Sequence, residues 1–135
     1  MPMDFDITRK KINIFKIGKL HCFKYYFNDK QVFDELSKYY NKEKYRFECS
    51  TVGERNKIIK YLWKVGYDTT LVEDLSEYIV KIDRTKDYIS ILKDSIEQTE
   101  IGKDRIFLMK DIASVEYAME QGAEKYADKN QIIFH

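Results

Sequence analysis

Proline occurs once, at position 2, and glycine only five times, so the chain has the composition of neither collagen-like nor low-complexity sequence and offers no long flexible linker. Two cysteines, Cys22 and Cys49, are too few for a disulfide scaffold and too far apart for a zinc module, which points to a reducing cytoplasm. Histidine is equally scarce. His21 and His135 have no partner at helical or loop-motif spacing, so neither a metal nor any other cofactor is expected. No Gly-rich turn of the phosphate-cradling kind occurs. No window approaches the ~18 consecutive apolar residues of a membrane span. The opening MPMDFDITRKK sets two acids before its basic cluster and has no apolar run after it, unlike a secretory signal, so a membrane is not expected as a partner.

What is present suits one packed core. Hydrophobic residues make up 44% of the chain and aromatics 15%, enough apolar surface to offset chain entropy despite 35% charged residues. A single domain over 1–135 is predicted, with 1–10 as a flexible N-terminal arm; at this length folding removes roughly two thirds of the unfolded surface from water. Abundant Lys, Ile and Tyr with few Arg, Ala and Gln is compatible with an AT-rich genome, archaeal or thermophilic ones included. The net charge of +1 hides an imbalance: residues 1–60 hold 14 Lys+Arg against 8 Asp+Glu, and residues 61–135 hold 10 against 15. Such asymmetry fits either an anionic partner for the first half or attraction between the halves of one globule.

Residues 11–27 are rich in β-branched and aromatic side chains and are interrupted by Gly18-Lys19, which predicts a hairpin. Asn28 and Gln31 have capping-box spacing ahead of a helix over 29–42. Residues 45–51 alternate, placing Tyr45, Phe47, Cys49 and Thr51 on a buried face and Arg46, Glu48 and Ser50 on a solvent face. Phe47→Ala and Trp63→Ala should therefore be costly, and Arg46→Ala and Glu48→Ala nearly neutral. Thr51 and Glu54 cap a second helix that carries Ile58, Ile59, Leu62, Trp63 and Val65 and stops at Gly66. A second hairpin is predicted from 68–73 and 77–83, and a third helix over 85–98. After a loop around Gly102, Ile106–Met109 is either a strand or the start of a fourth helix capped by Asp111. A short strand closes the chain at Ile132–Phe134.

From 45 to 110 this gives the order strand, helix, strand, strand, helix, strand. It is the split-βαβ order of ferredoxin-like domains, so the fold class predicted is α+β, an antiparallel-rich sheet covered by helices and extended by the N-terminal hairpin and helix and the C-terminal helix. That topology hosts many functions and does not narrow this one. Ile106 to Met109 is apolar on both faces, which suits a terminal edge strand poorly.

Candidate sites follow from residue type. His21 adjoins Cys22, but neighbours on a strand point to opposite faces and do not converge on one atom. Glu73, Asp74 and Glu77 read as a solvated turn because the oxygen order and central Gly of a calcium loop are missing. The start of the second helix, around Gly53 with Arg55 and Lys57, is a candidate anion site unless Thr51 and Glu54 already satisfy its amides. Arg9, Lys10, Lys11, Arg55 and Lys57 are the candidate nucleic-acid contacts, with nearby aromatics to stack bases. Eleven tyrosines include Tyr25, Tyr26, Tyr39 and Tyr40 in one stretch, a candidate interface. The missing chemical constellation and this cluster favour a non-enzymatic binding domain that contacts a protein or small ligand and forms a homodimer. The alternative is an RNA-binding domain using the basic first half. A second alternative is an enzyme whose scattered carboxylates, such as Asp68, Asp83 and Asp111, meet only in the fold.

Overall fold

A computed structural model describes residues 9–126, and within them the chain forms two sheets and four helices. β1 (Lys10–Ile17) and β2 (Leu20–Phe23) make the predicted hairpin, with Gly18 at a φ of 59° in its two-residue turn. Lys10 thus belongs to β1. Arg9 is tied to Asp68, and residues 1–8 of the predicted arm, like the strand expected at 132–134, lie outside the described residues. α1 (Lys30–Leu36) is shorter than predicted and ends in a 3-10 turn. Its cap is Asp29, whose carboxylate accepts the Gln31 amide, and not Asn28. β3 (Tyr40–Asn41) then pairs with β4 (Arg46–Cys49). α2 (Val52–Lys64) starts at Thr51, whose hydroxyl accepts from the Glu54 amide as predicted, and gives way at Gly66 to β5 (Tyr67–Val72).

The second half departs from expectation. β5 does not turn back on β6 (Ile79–Asp83) as a hairpin. It runs parallel to β1 at the edge of the first sheet, while β6 enters a second sheet. The predicted third helix keeps one turn, α3 (Ile89–Leu92), and its remainder is β7 (Ser95–Ile101), which pairs across the Gly102 turn with β8 (Asp104–Met109). α4 (Ile112–Glu120) is capped by Asp111, and β9 (Glu124–Lys125) pairs with β6. The strand orders are β3-β4-β2-β1-β5 and β7-β8-β6-β9. The strands expected to form one ferredoxin-like sheet are therefore divided, β4 and β5 in the first sheet and β6 and β8 in the second.

Side-chain parity explains the division. In the first sheet Ile12, Ile14, Phe23, Phe47 and Cys49 pack against Val32 and Leu36 of α1 and Ile58 and Leu62 of α2. The opposite parity, Phe15, Ile17 and Cys22, packs against Ile79, Ile96, Ile106 and Leu108 of the second sheet. Val80, Ile82, Phe107 and Met109 turn outward to α3 and α4. The architecture is thus four layers, helix, sheet, sheet, helix. β8 lies between β6 and β7 with both faces covered, which is why Ile106 to Met109 is apolar throughout.

Two further expectations fail. Arg46, expected toward solvent, is 1% exposed because the second sheet covers that face of β4. Trp63 was placed in the core, yet it is 64% exposed, on the outer side of α2.

Candidate functional site

Where the two sheets part at their β3–β4 and β7 edges, side chains from the first sheet hold the backbone of the second. Lys24, one residue past β2, donates from Nζ to Lys93 O at 3.0 Å and Ser95 O at 2.9 Å. Arg46 donates from Nη1 to Ile96 O at 2.9 Å, and Tyr26 Oη donates to Lys93 O. The open edge of β7 would otherwise present unpaired carbonyls, and these donors satisfy them. Arg46 also meets Glu48 at 2.9 Å and Glu97 at 3.0 Å, and Lys44 reaches Glu97 at 3.0 Å. The two Glu97 pairs, with Arg9–Asp68 at 2.6 Å, join the basic first half to the acidic second half, so the uneven charge serves cohesion of the globule.

Above this bonded floor lies a cleft of about 580 Å³, within the size range of small-molecule sites. Tyr26, Tyr40 and Tyr45 form one wall, and Ile89, Leu92 and Ile96 the other. The turn between β3 and β4 is built by Asn41, whose Oδ1 accepts the amides of Glu43 and Lys44. Tyr45 has a φ of 55° there, a left-handed conformation uncommon for a bulky residue, and its ring stands out from the sheet and is exposed. A smaller depression of about 220 Å³, reaching Phe27, Phe33 and Tyr25, shares Lys24, Tyr26, Tyr40 and Tyr45 with the cleft.

Lys24 is the unusual group at this floor. It is 7% exposed, and no carboxylate among the described residues bonds to it, its two acceptors being backbone carbonyls. Burial lowers its pKa to about 8; the charge of Asp94 opposes the shift, and those of Lys110 and Arg46 add to it. Two of its N–H groups are committed, so a third valence remains for an acceptor in the cleft.

The predicted interface residues separate. Tyr26 and Tyr40 line the cleft, Tyr25 stacks with Phe27 and Tyr67 at 5.0 and 5.2 Å, and Tyr39 packs on the helix-side core. The predicted anion contacts separate too. Arg9 is held by Asp68 and Trp63 O, with Lys10 and Lys11 beside it near the end of α2, whereas Arg55 and Lys57 sit at the start of that helix. His21 and Cys22 do point to opposite faces. Cys22 is in the inter-sheet core, where burial pushes its thiol up to about 12. The carboxylates named for an enzyme are engaged apart from one another: Asp68 with Arg9, Asp83 with Thr85, and Asp111 with Lys110 and the start of α4.

Sequence reasoning did not bring Lys24 and Tyr45 together in one site, and it missed Glu97 as a partner. The one available signal was a lysine set between Phe23 and Tyr25, inside an apolar run. Fold and cleft together define a four-layer α+β domain with an aromatic-walled cleft at one edge of its sheet sandwich. No family model matches the chain, and no curated protein or solved structure matches it either. Among the described residues no helix is long and apolar enough to cross a membrane.

Proposed function

We propose that this protein is a non-enzymatic binding domain of the cytoplasm that takes a small amphiphilic ligand in the cleft, its acceptor or anionic head on Lys24 and its apolar body between Tyr26, Tyr40, Tyr45 and Leu92. The observation that carries the reading is the buried Lys24 amine, without a carboxylate partner among the described residues, at the floor of an aromatic-walled cleft of about 580 Å³. Strain at Tyr45 supports it, because backbone outliers collect where a side chain must be presented. The two buried free thiols fit a reducing compartment.

The test uses 8-anilinonaphthalene-1-sulfonate, an anion with an aromatic body. Its fluorescence should rise saturably with the folded wild type and much less with Tyr45→Gly, a change that relieves the left-handed backbone and leaves the fold intact. No saturable rise, or an equal rise in Tyr45→Gly, would defeat the reading. A second reading is favoured by the exposed Tyr26, Tyr45 and Ile89 on the same rim: a homodimer closed over the cleft. Sedimentation equilibrium decides it. A dimer that Tyr45→Gly dissociates supports it, and a monomer at all concentrations removes it.

A further inference from the structure

A second cavity, of about 120 Å³, lies where α2 begins. Lys16 of β1, His21 of β2, Val52 and Arg55 of the first turn of α2, and Leu71 and Glu73 at the end of β5 line it. His21 is 8% exposed, and its imidazole makes no hydrogen bond to any described residue. Its ring nitrogens are not enclosed and open on the cavity, where a partner from outside can reach them. Burial, then the charges of Arg55 and Lys16, hold the imidazole below its ordinary value, and Glu73 draws it upward. Two cations therefore act on the same ring from two elements.

The helix adds donors. Thr51 Oγ1 accepts the Glu54 amide and Thr51 O the Arg55 amide, so those two amides are satisfied within the chain. The amides of Val52 and Gly53, ahead of them, make no hydrogen bond to described residues, and the positive end of the 13-residue helix favours an anion beside them. The cavity has about a fifth of the volume of the cleft. It admits a head group and not a larger body.

We propose that this cavity binds a dianionic phosphate, free or as the terminal group of a small monoester, through Arg55, Lys16, His21 and the first amides of α2. The site is independent of the cleft. Glu73 at its margin opposes the anion and keeps empty-site affinity modest.

The ring signals of His21 in proton–nitrogen NMR spectra give the test, because the only other histidine is His135. Added inorganic phosphate should shift the His21 ring signals saturably at millimolar concentration and raise the pH at which they titrate, since the dianion favours the imidazolium. Chloride at equal ionic strength should not reproduce this, and His135 should not follow it. Arg55→Gln should weaken phosphate binding about tenfold by removing a charge-assisted pair, Glu73→Gln should strengthen it, and Lys57→Gln should leave it unchanged. Glycerol phosphate binding as tightly as inorganic phosphate would show that a monoester is admitted; phosphate alone binding would confine the site to the free ion. An unmoved His21 signal, a shift shared by His135 or chloride, or equal binding of dimethyl phosphate, a diester monoanion, would overturn the proposal.

Discussion

Replacing Arg46 by leucine tests the architecture most directly, because a single-sheet fold makes that change harmless and a two-sheet sandwich makes it severe. The guanidinium is 1% exposed and bonds Glu48, Glu97 and the Ile96 carbonyl at 2.9, 3.0 and 2.9 Å. Leucine fills part of the volume but leaves Glu97 with Lys44 as its remaining side-chain cation among the described residues and the Ile96 carbonyl without its charged donor. Breaking a buried pair from one side costs about 3–5 kcal/mol, a large part of the roughly 5–15 kcal/mol that holds a domain of this kind folded. Arg46→Leu should therefore lower the urea midpoint, read by far-ultraviolet circular dichroism, at an unchanged slope. Glu97→Leu should also destabilise. The double variant should recover about 2 kcal/mol relative to the sum, since neither member of the buried Arg46–Glu97 pair is left facing the other's absence. The same cluster sets acid stability. Burial would raise the Glu97 pKa, but hydrogen bonds from Lys44 and the Gln98 amide and the charge of Arg46 outweigh it and hold the group below its ordinary 4.5. The carboxylate then stabilises the fold above that value, and its contribution is lost as pH falls through the lower folded value. Glu97→Gln should flatten this loss. An Arg46→Leu protein within about 0.5 kcal/mol of wild type, the range of ordinary surface changes, or a strictly additive double variant, would refute the buried-pair account.

Phe47→Ala should cost about 3–5 kcal/mol, since its ring is 1% exposed and packs on Phe23, Phe27, Phe33 and Tyr40. Trp63→Ala should cost about 1 kcal/mol or less, its main loss being the Arg9 guanidinium 5.1 Å above the ring; thermal melts that rank the two the other way would contradict the assigned faces. The ε-carbon signal of Lys24, identified by its loss in Lys24→Arg, should titrate at about 8. Because its folded value lies below the ordinary 10.5, the cost of burying it is full below about 8 and relieved as pH rises toward 10.5, so stability should gain over that window relative to Lys24→Gln.

What could be read from the sequence was governed by how local each determinant is. Gly18-Lys19, the Thr51 and Asp111 caps and the alternation of Phe47 and Cys49 are written within a few residues and stand in the structure. The partner of a strand is not written locally. Residues 68–73 and 77–83 look like a hairpin because each is a β-type run and the polar connection 74–76 divides them, yet β5 finds β1, more than fifty residues back, and β6 finds β8. Ser95–Gln98 reads as helix because Ile91, Leu92 and Ile96 happen to fall at helical spacing, whereas Gln98, Thr99 and Glu100 pair across the Gly102 turn with β8.

The same limit hid the cleft. Once a second sheet covers β2 and β4, the polar parity of those strands changes meaning: Lys24 and Arg46 become the donors that fasten one sheet to the other, and Glu48 holds Arg46 in place. A charged residue in an amphipathic strand reads as solvent-facing only while one sheet is assumed, and the doubly apolar Ile106–Met109 run already conflicted with that assumption. Two covered faces on β8 require a layer on each side of the second sheet. The first sheet supplies one of those layers, and the face it turns inward must then carry both the apolar contacts of Phe15, Ile17 and Cys22 and, toward the edge, the buried cations from which the cleft is built.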